Sequence, residues 1–232
     1  MIPEPAEPVL TSVRVWDLPT RLFHWLLTLT LIASVVSGQI GGNAMVWHTR
    51  FGLVVLALLL FRLVWGFAGG YWSRFASFLY GPRKVIAYLR GDGGPGGRYD
   101  IGHSPVGALS VWALLALLAL QVATGLMADD EIATTGPLNR FVSGKAATAA
   151  SAWHEGPGKW LLLSLVFVHV LAVLYYLWRR RRNLIAPMIH GDMSLPVDAV
   201  SSKDGVRARL VALAIVASAS VFAWWVGSLG SI

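Results

Sequence analysis

Long apolar runs separated by short polar breaks dominate the chain. Five runs are long enough to cross a bilayer as helix, which takes about 20 residues. They cover Leu22–Ile40, Val46–Ala68, Pro105–Met127, Lys159–Trp178 and Leu210–Leu229. Pro157, just ahead of the fourth, suits a helix's first turn, where its missing N–H costs nothing. The first run is not a cleavable signal peptide: it starts far from the N-terminus, carries Arg21 and His24 at its beginning, and lacks a clear small-residue cleavage pattern. Residues 1–13 read as a short mobile tail. Between the second and third spans, apolar and basic residues alternate at helical spacing over residues 81–90, which predicts a short helix on the membrane surface. Gly91 to Gly97 follows as a flexible loop, and the polar, small-residue-rich stretch 128–152 has room for a short helix. The pattern predicts an all-α integral membrane protein. Residues 1–192 form a four-helix transmembrane bundle, and residues 193–232 a linker and an extra C-terminal transmembrane helix.

Composition agrees with that class. Of 232 residues, 56% are hydrophobic and 13% charged, against about a quarter charged in soluble domains; the mean hydropathy is +0.61. A net charge of +7 raises the question of nucleic acid, but the placement of the charges answers it. If the spans alternate, fifteen of the nineteen Lys and Arg fall on the face that includes Arg179–Arg182, and Arg50, Arg140, Lys145 and Lys159 fall on the other. The positive-inside rule then predicts a bacterial inner-membrane protein with a cytoplasmic N-terminus and, after five spans, a periplasmic C-terminus. Arg179–Arg182 reads as a stop-transfer run and lipid-headgroup anchor. Trp47, Trp65, Trp72, Trp153 and Trp178 lie at span ends, as in an aromatic belt.

No cysteine is present, which excludes disulfides, iron–sulfur clusters and covalent haem attachment. A redox cofactor must therefore rest on His, Met or carboxylate, and there are six histidines to consider. Ionisable groups inside spans are costly and point to function. His24 opens span one at the cytoplasmic side; His48 opens span two at the opposite side, where His154 also lies. If helix already runs from His154, the fifteen residues to His169 rise roughly 22 Å and leave a net rotation of only ~60°. His169 thereby returns to the depth of His24. Two pairs result, His24 with His169 and His48 with His154, each joining different helices at one level, as bis-histidine haem sites in a bundle require. A zinc or copper site would need three or four ligands close together. Arg62 is placed either to pair with a haem propionate or to snorkel to the surface. Arg50 and His103 are further candidates for propionate contact, His103 also for a quinone oxygen. His190 reads as an ordinary interfacial residue.

At these residues the chain resembles the bacterial cytochrome b561 family, which includes the cytochrome b subunits of membrane-bound nickel–iron hydrogenases. The resemblance rests on Val15–Trp25, Trp47–Gly52, Phe61–Gly66, Gly102–Leu109, Trp153–Glu155 and His169, and covers about residues 13–192. It implies four core helices, two haems b with His24, His48, His154 and His169 as ligands, and electron exchange with membrane quinone. The fifth span lies outside that core and is expected to pack on a partner subunit.

Three functions fit the sequence. The first is an electron-transfer subunit linking the quinone pool to a periplasmic c-type cytochrome or hydrogenase module, as part of a homo- or hetero-oligomer. The second is a stand-alone oxidoreductase passing electrons from a small anion such as superoxide to quinone, drawn by the positive charges of the outer face. The third is a transporter using histidines for ions, which predicts broken helices or internal repeats; no such repeat is present.

Overall fold

The computed structural model describes residues 10–91, 101–130, 134–196 and 199–230. Strand β1 (Leu10–Arg14) leads into helices α1 (Leu18–Ile40) and α2 (Met45–Ala68). Helix α3 (Pro82–Arg90) precedes α4 (Pro105–Met127), and α5 (Gly144–Glu155) is followed directly by α6 (Pro157–Trp178). Helix α7 (Ile185–His190), strand β2 (Asp192–Pro196) and α8 (Val206–Ser228) complete the order. Five segments are long and apolar enough to cross a membrane: α1, residues 42–68, α4, residues 144–178 and α8. The chain is an all-α integral membrane protein with one small two-stranded sheet at its arginine-rich end.

Helix α1 begins four residues before the apolar run because Asp17 caps it. The Asp17 carboxylate accepts the Thr20 N–H at 2.8 Å, with Pro19 in the first turn. Ser104 caps α4 in the same way, accepting from the Gly107 N–H, ahead of Pro105. Helix α1 packs along α2, α4 along α5 and α6, and α2 meets α4. One apolar layer joins all four core helices: Val55, Leu118 and Leu162, with Leu27, Leu31, Leu59, Leu114 and Val166 against them.

Three expectations change, and the fifth span gains a contact within its own chain. Residues 10–13 are not tail: β1 pairs antiparallel with β2, Leu10 opposite Pro196 and Arg14 opposite Asp192, and Val13 is buried beside Leu195. The helix carrying His154 is not continuous with α6. Gly156 breaks it at φ −98°, ψ −114°, because Pro157 cannot donate an N–H and disfavours helix in the residue before it. Helix α8 packs along α2 of its own chain, burying Ala212, Ala219, Ala223 and Val226. Trp65 is no belt residue: it is 1% exposed and donates its indole N–H to Asp17. The predicted surface helix stands as α3, closed by Gly91 in the left-handed region at φ 85°; residues 92–97 of the expected loop lie outside the described residues.

Candidate functional site

The apolar layer separates two histidine clusters. At the far end, away from the arginines, His48 on α2 and His154 on α5 face one another with ring centroids 5.8 Å apart and planes at 80°. The His48 Nδ1 lies 2.8 Å from the Ser34 carbonyl oxygen on α1, and the His154 Nδ1 lies 2.8 Å from the Gln121 carbonyl oxygen on α4. A carbonyl only accepts, so each Nδ1 carries a proton, and Nε2 is the ring nitrogen left to ligate a metal. Two imidazoles oriented by hydrogen bonds at Nδ1 fit a bis-histidine haem, which His48 and His154 would hold through Nε2. The rings also have room. A Cβ on Gly38 would sit 2.9 Å from the His48 Nδ1, and one on Gly125 would sit 2.7 Å from the His154 Cε1. The pair therefore forms despite the break at Gly156.

At the basic end, His24 on α1 and His169 on α6 are close enough to interact electrostatically, and His103 interacts with both and with Arg62. His103 stacks edge-on to Trp16 at 4.8 Å and lies 4.5 Å from the Phe78 ring. Arg62 does not snorkel: it is 4% exposed, with its guanidinium 4.7 Å over the Phe75 ring. Buried nitrogens here without a hydrogen-bond partner among the described residues include His24 Nδ1, His103 Nδ1 and Arg62 Nη1, with Arg21 Nε and Trp112 Nε1 close by. Buried polar atoms are ordinarily paired. An iron-bound, propionate-bearing macrocycle supplies a metal and an anion to such groups, so the residues present fit a haem at this end as well.

Arg50 is not brought to the far-end pair. It is exposed, with its guanidinium 4.9 Å over the Trp47 ring, because a two-residue offset on a helix points to the other side. His190 is structural, its Nδ1 accepting from the Asp192 N–H as β2 begins. Among the described residues no three His, Cys, Asp or Glu gather as a metal site.

Asp17 is a feature the sequence reading missed. It is fully buried and accepts from Trp65 Nε1 at 3.1 Å, the Gly70 N–H at 3.0 Å and the Ser73 hydroxyl at 2.6 Å, besides capping α1. One carboxylate thus ties the start of α1 to the end of α2, next to Arg62. The signal was present: an acidic residue two ahead of a proline, at the mouth of an apolar run, is a helix-start signature.

A membrane bundle with histidines paired across facing helices at two levels has the architecture of a membrane electron carrier. The chain belongs to the prokaryotic cytochrome b561 family, whose model matches residues 15–191. It is thus a membrane cytochrome of the b type, a class that carries haem b and transfers electrons. It is 24% identical over 227 residues to the Probable Ni/Fe-hydrogenase 1 B-type cytochrome subunit of Escherichia coli K12, covering 83% of this chain and 95% of that protein. It is 26% identical over 219 residues to the Probable Ni/Fe-hydrogenase B-type cytochrome subunit of Azotobacter vinelandii, covering 78% and 88%.

Proposed function

We propose that the chain carries electrons across the membrane through two haems b, one between His24 and His169, the other between His48 and His154. The observation that carries this reading is the pair of histidine clusters separated by one apolar layer within a single helix bundle. When bound, haem b supplies a one-electron iron couple. The chain's residues do the rest. His48 and His154 present fixed Nε2 lone pairs. Arg62 and His103 offer buried donors to the propionates at the basic end, and the aliphatic layer between the levels excludes water. The positive-inside rule places the basic end in the cytoplasm, the N-terminus with it and the C-terminus outside. Residues 1–192 are the haem-carrying unit, supported by a family match that ends at residue 191; residues 193–232 add the linker and α8.

Quinone exchanges electrons near the cytoplasmic pair, and a periplasmic redox protein exchanges them near the outer pair. The names of the relatives point to a Ni/Fe-hydrogenase module as that partner, in place of a c-type cytochrome. The superoxide reading is less favoured: counted along the sequence, the segments that carry Arg50, Arg140, Lys145 and Lys159 hold as many acidic residues as basic ones, which leaves no net charge to draw an anion.

The test uses proteoliposomes holding the loaded protein, quinone and a membrane-impermeant reductant added at the outer face. Wild type should reduce both haems and then quinone, whereas His169→Ala should reduce the outer haem and stop. Quinone reduction at the wild-type rate in His169→Ala contradicts the proposed route, and quinone reduction by superoxide alone revives the stand-alone oxidoreductase.

A further inference from the structure

Around the outer pair the two supporting helices repeat the same device. Ser34-Val35-Val36-Ser37-Gly38 lies two residues short of the end of α1, and Gln121-Val122-Ala123-Thr124-Gly125 lies two residues short of the end of α4. In each, the first residue's carbonyl accepts the histidine Nδ1–H, from His48 or His154, and the fifth is the glycine against which that ring lies. The fourth residue carries a hydroxyl whose single proton is divided between two carbonyls. The shorter contact goes to the carbonyl four residues back, Ser37 Oγ to Ala33 at 2.7 Å and Thr124 Oγ1 to Leu120 at 2.8 Å; the longer goes to the histidine's own acceptor, Ser37 Oγ to the Ser34 oxygen and Thr124 Oγ1 to the Gln121 oxygen, both at 3.1 Å. The Ser34 hydroxyl adds a longer contact to the His48 Nδ1 at 3.3 Å. Ser34, Ser37, Gln121 and Thr124 are all under 10% exposed, at 8%, 7%, 9% and 8%.

A carbonyl oxygen has two lone pairs; the helix's own N–H four residues on and the imidazole N–H occupy both, so the hydroxyl competes with them for the same oxygen. A hydroxyl donating to the same oxygen draws density away from it and weakens its hold on the imidazole proton. An imidazole that shares its Nδ1 proton less is a poorer electron donor through Nε2. A poorer donor favours ferrous over ferric iron, since outer hydrogen bonding sets ligand basicity and potential.

We propose that Ser37 and Thr124 are positioning residues that raise the reduction potential of the outer haem by sharing the carbonyls that hold His48 and His154, with Gly38 and Gly125 making space for the rings. The inference rests on the reading that this pair binds a haem. No backbone device of this kind is described around His24 and His169, so the effect is confined to one haem.

The experiment is a redox titration of the visible haem bands in the detergent-purified, haem-loaded full chain. It compares wild type with Ser37→Ala, Thr124→Val, the double variant, and the hydroxyl-retaining Ser37→Thr and Thr124→Ser. The outer midpoint is identified as the one missing in His48→Ala. In the double variant it should fall, with the ferric-to-ferrous ratio at fixed potential rising about threefold or more. The inner midpoint should stay in place, each single variant should move the outer one part of the way, and Ser37→Thr and Thr124→Ser should keep the wild-type value. An outer midpoint that is unmoved or rises, or two midpoints that fall together, overturns the tuning while leaving the haem assignment intact. A His48→Ala variant that keeps both midpoints overturns the assignment of the pair and the tuning with it.

Discussion

The two histidine clusters are built in opposite ways. At the end away from the arginines the chain supplies its histidines' hydrogen bonds: both Nδ1 protons have carbonyl acceptors, and the glycines clear room for the rings, although Gln121 Oε1 and Trp153 Nε1 lie buried there without partners among the described residues. At the basic end, His24 Nδ1, His103 Nδ1 and Arg62 Nη1 lie buried without partners among the described residues, although Asp17 organises the backbone close by. The His48 and His154 rings are oriented by protein, whereas His103 and Arg62 are left to what binds there. An unpaired buried polar group costs about 1–3 kcal/mol, so a cofactor that pairs His103 and Arg62 stabilises the fold at the basic end.

The sharpest way to break this comparison is to remove haem. In haem-depleted protein, amide exchange around residues 16–24, 61–66 and 101–104 should accelerate by about tenfold or more relative to residues 34–38 and 121–125, the effect of one such unpaired group. Equal acceleration at both ends, read by hydrogen–deuterium exchange, contradicts the asymmetry. Next in size is Asp17→Ala, which strands the donors of Trp65, Gly70 and Ser73 and removes the α1 cap. A loss on the order of 3 kcal/mol is expected, seen as a lower unfolding temperature and loss of inner haem before outer.

Arg62→Gln removes a buried positive charge from the inner site. The inner midpoint should fall by the equivalent of about tenfold in the ferric-to-ferrous ratio, or ~59 mV for one electron, with the outer midpoint unmoved. The smallest effect lies outside the membrane, where Arg14 bonds Asp192 and Asp204, and Arg209 bonds Asp204. Burial pushes the Asp204 carboxyl up, but hydrogen bonds from Arg209, the Leu18 amide and Arg14 outweigh it and hold the carboxyl below its ordinary value. Its stabilising contribution is therefore present above the unfolded pKa of about 3.9 and fades as pH falls through the lower folded value. Asp204→Asn should cost ~0.2–1 kcal/mol near neutral pH, with the two proteins converging in thermal stability in strong acid.

Much of this was legible in the sequence because membrane spans announce themselves by length and polarity, and because intramembrane histidines are rare enough for their depths to pair them. His24, His48, His154 and His169 were singled out that way. What stayed hidden depends on distant or backbone partners. The pairing of β1 with β2 joins Arg14 to Asp192 across 178 residues, and neither five-residue segment shows it alone. The acceptors for His48 and His154 are main-chain oxygens, which residue identity does not reveal. Trp65 shows the limit of reading belts from position, since a span-end indole can turn inward when a carboxylate waits for it.

The central claim is that two haems sit on two separate histidine pairs. The most direct measurement is haem per chain, with the midpoint of the haem that remains, in purified His48→Ala and His169→Ala proteins. Two haems in wild type, about one in each variant, and a different surviving midpoint in each is the predicted result. Loss of the same haem in both variants, or two haems retained in either, contradicts it.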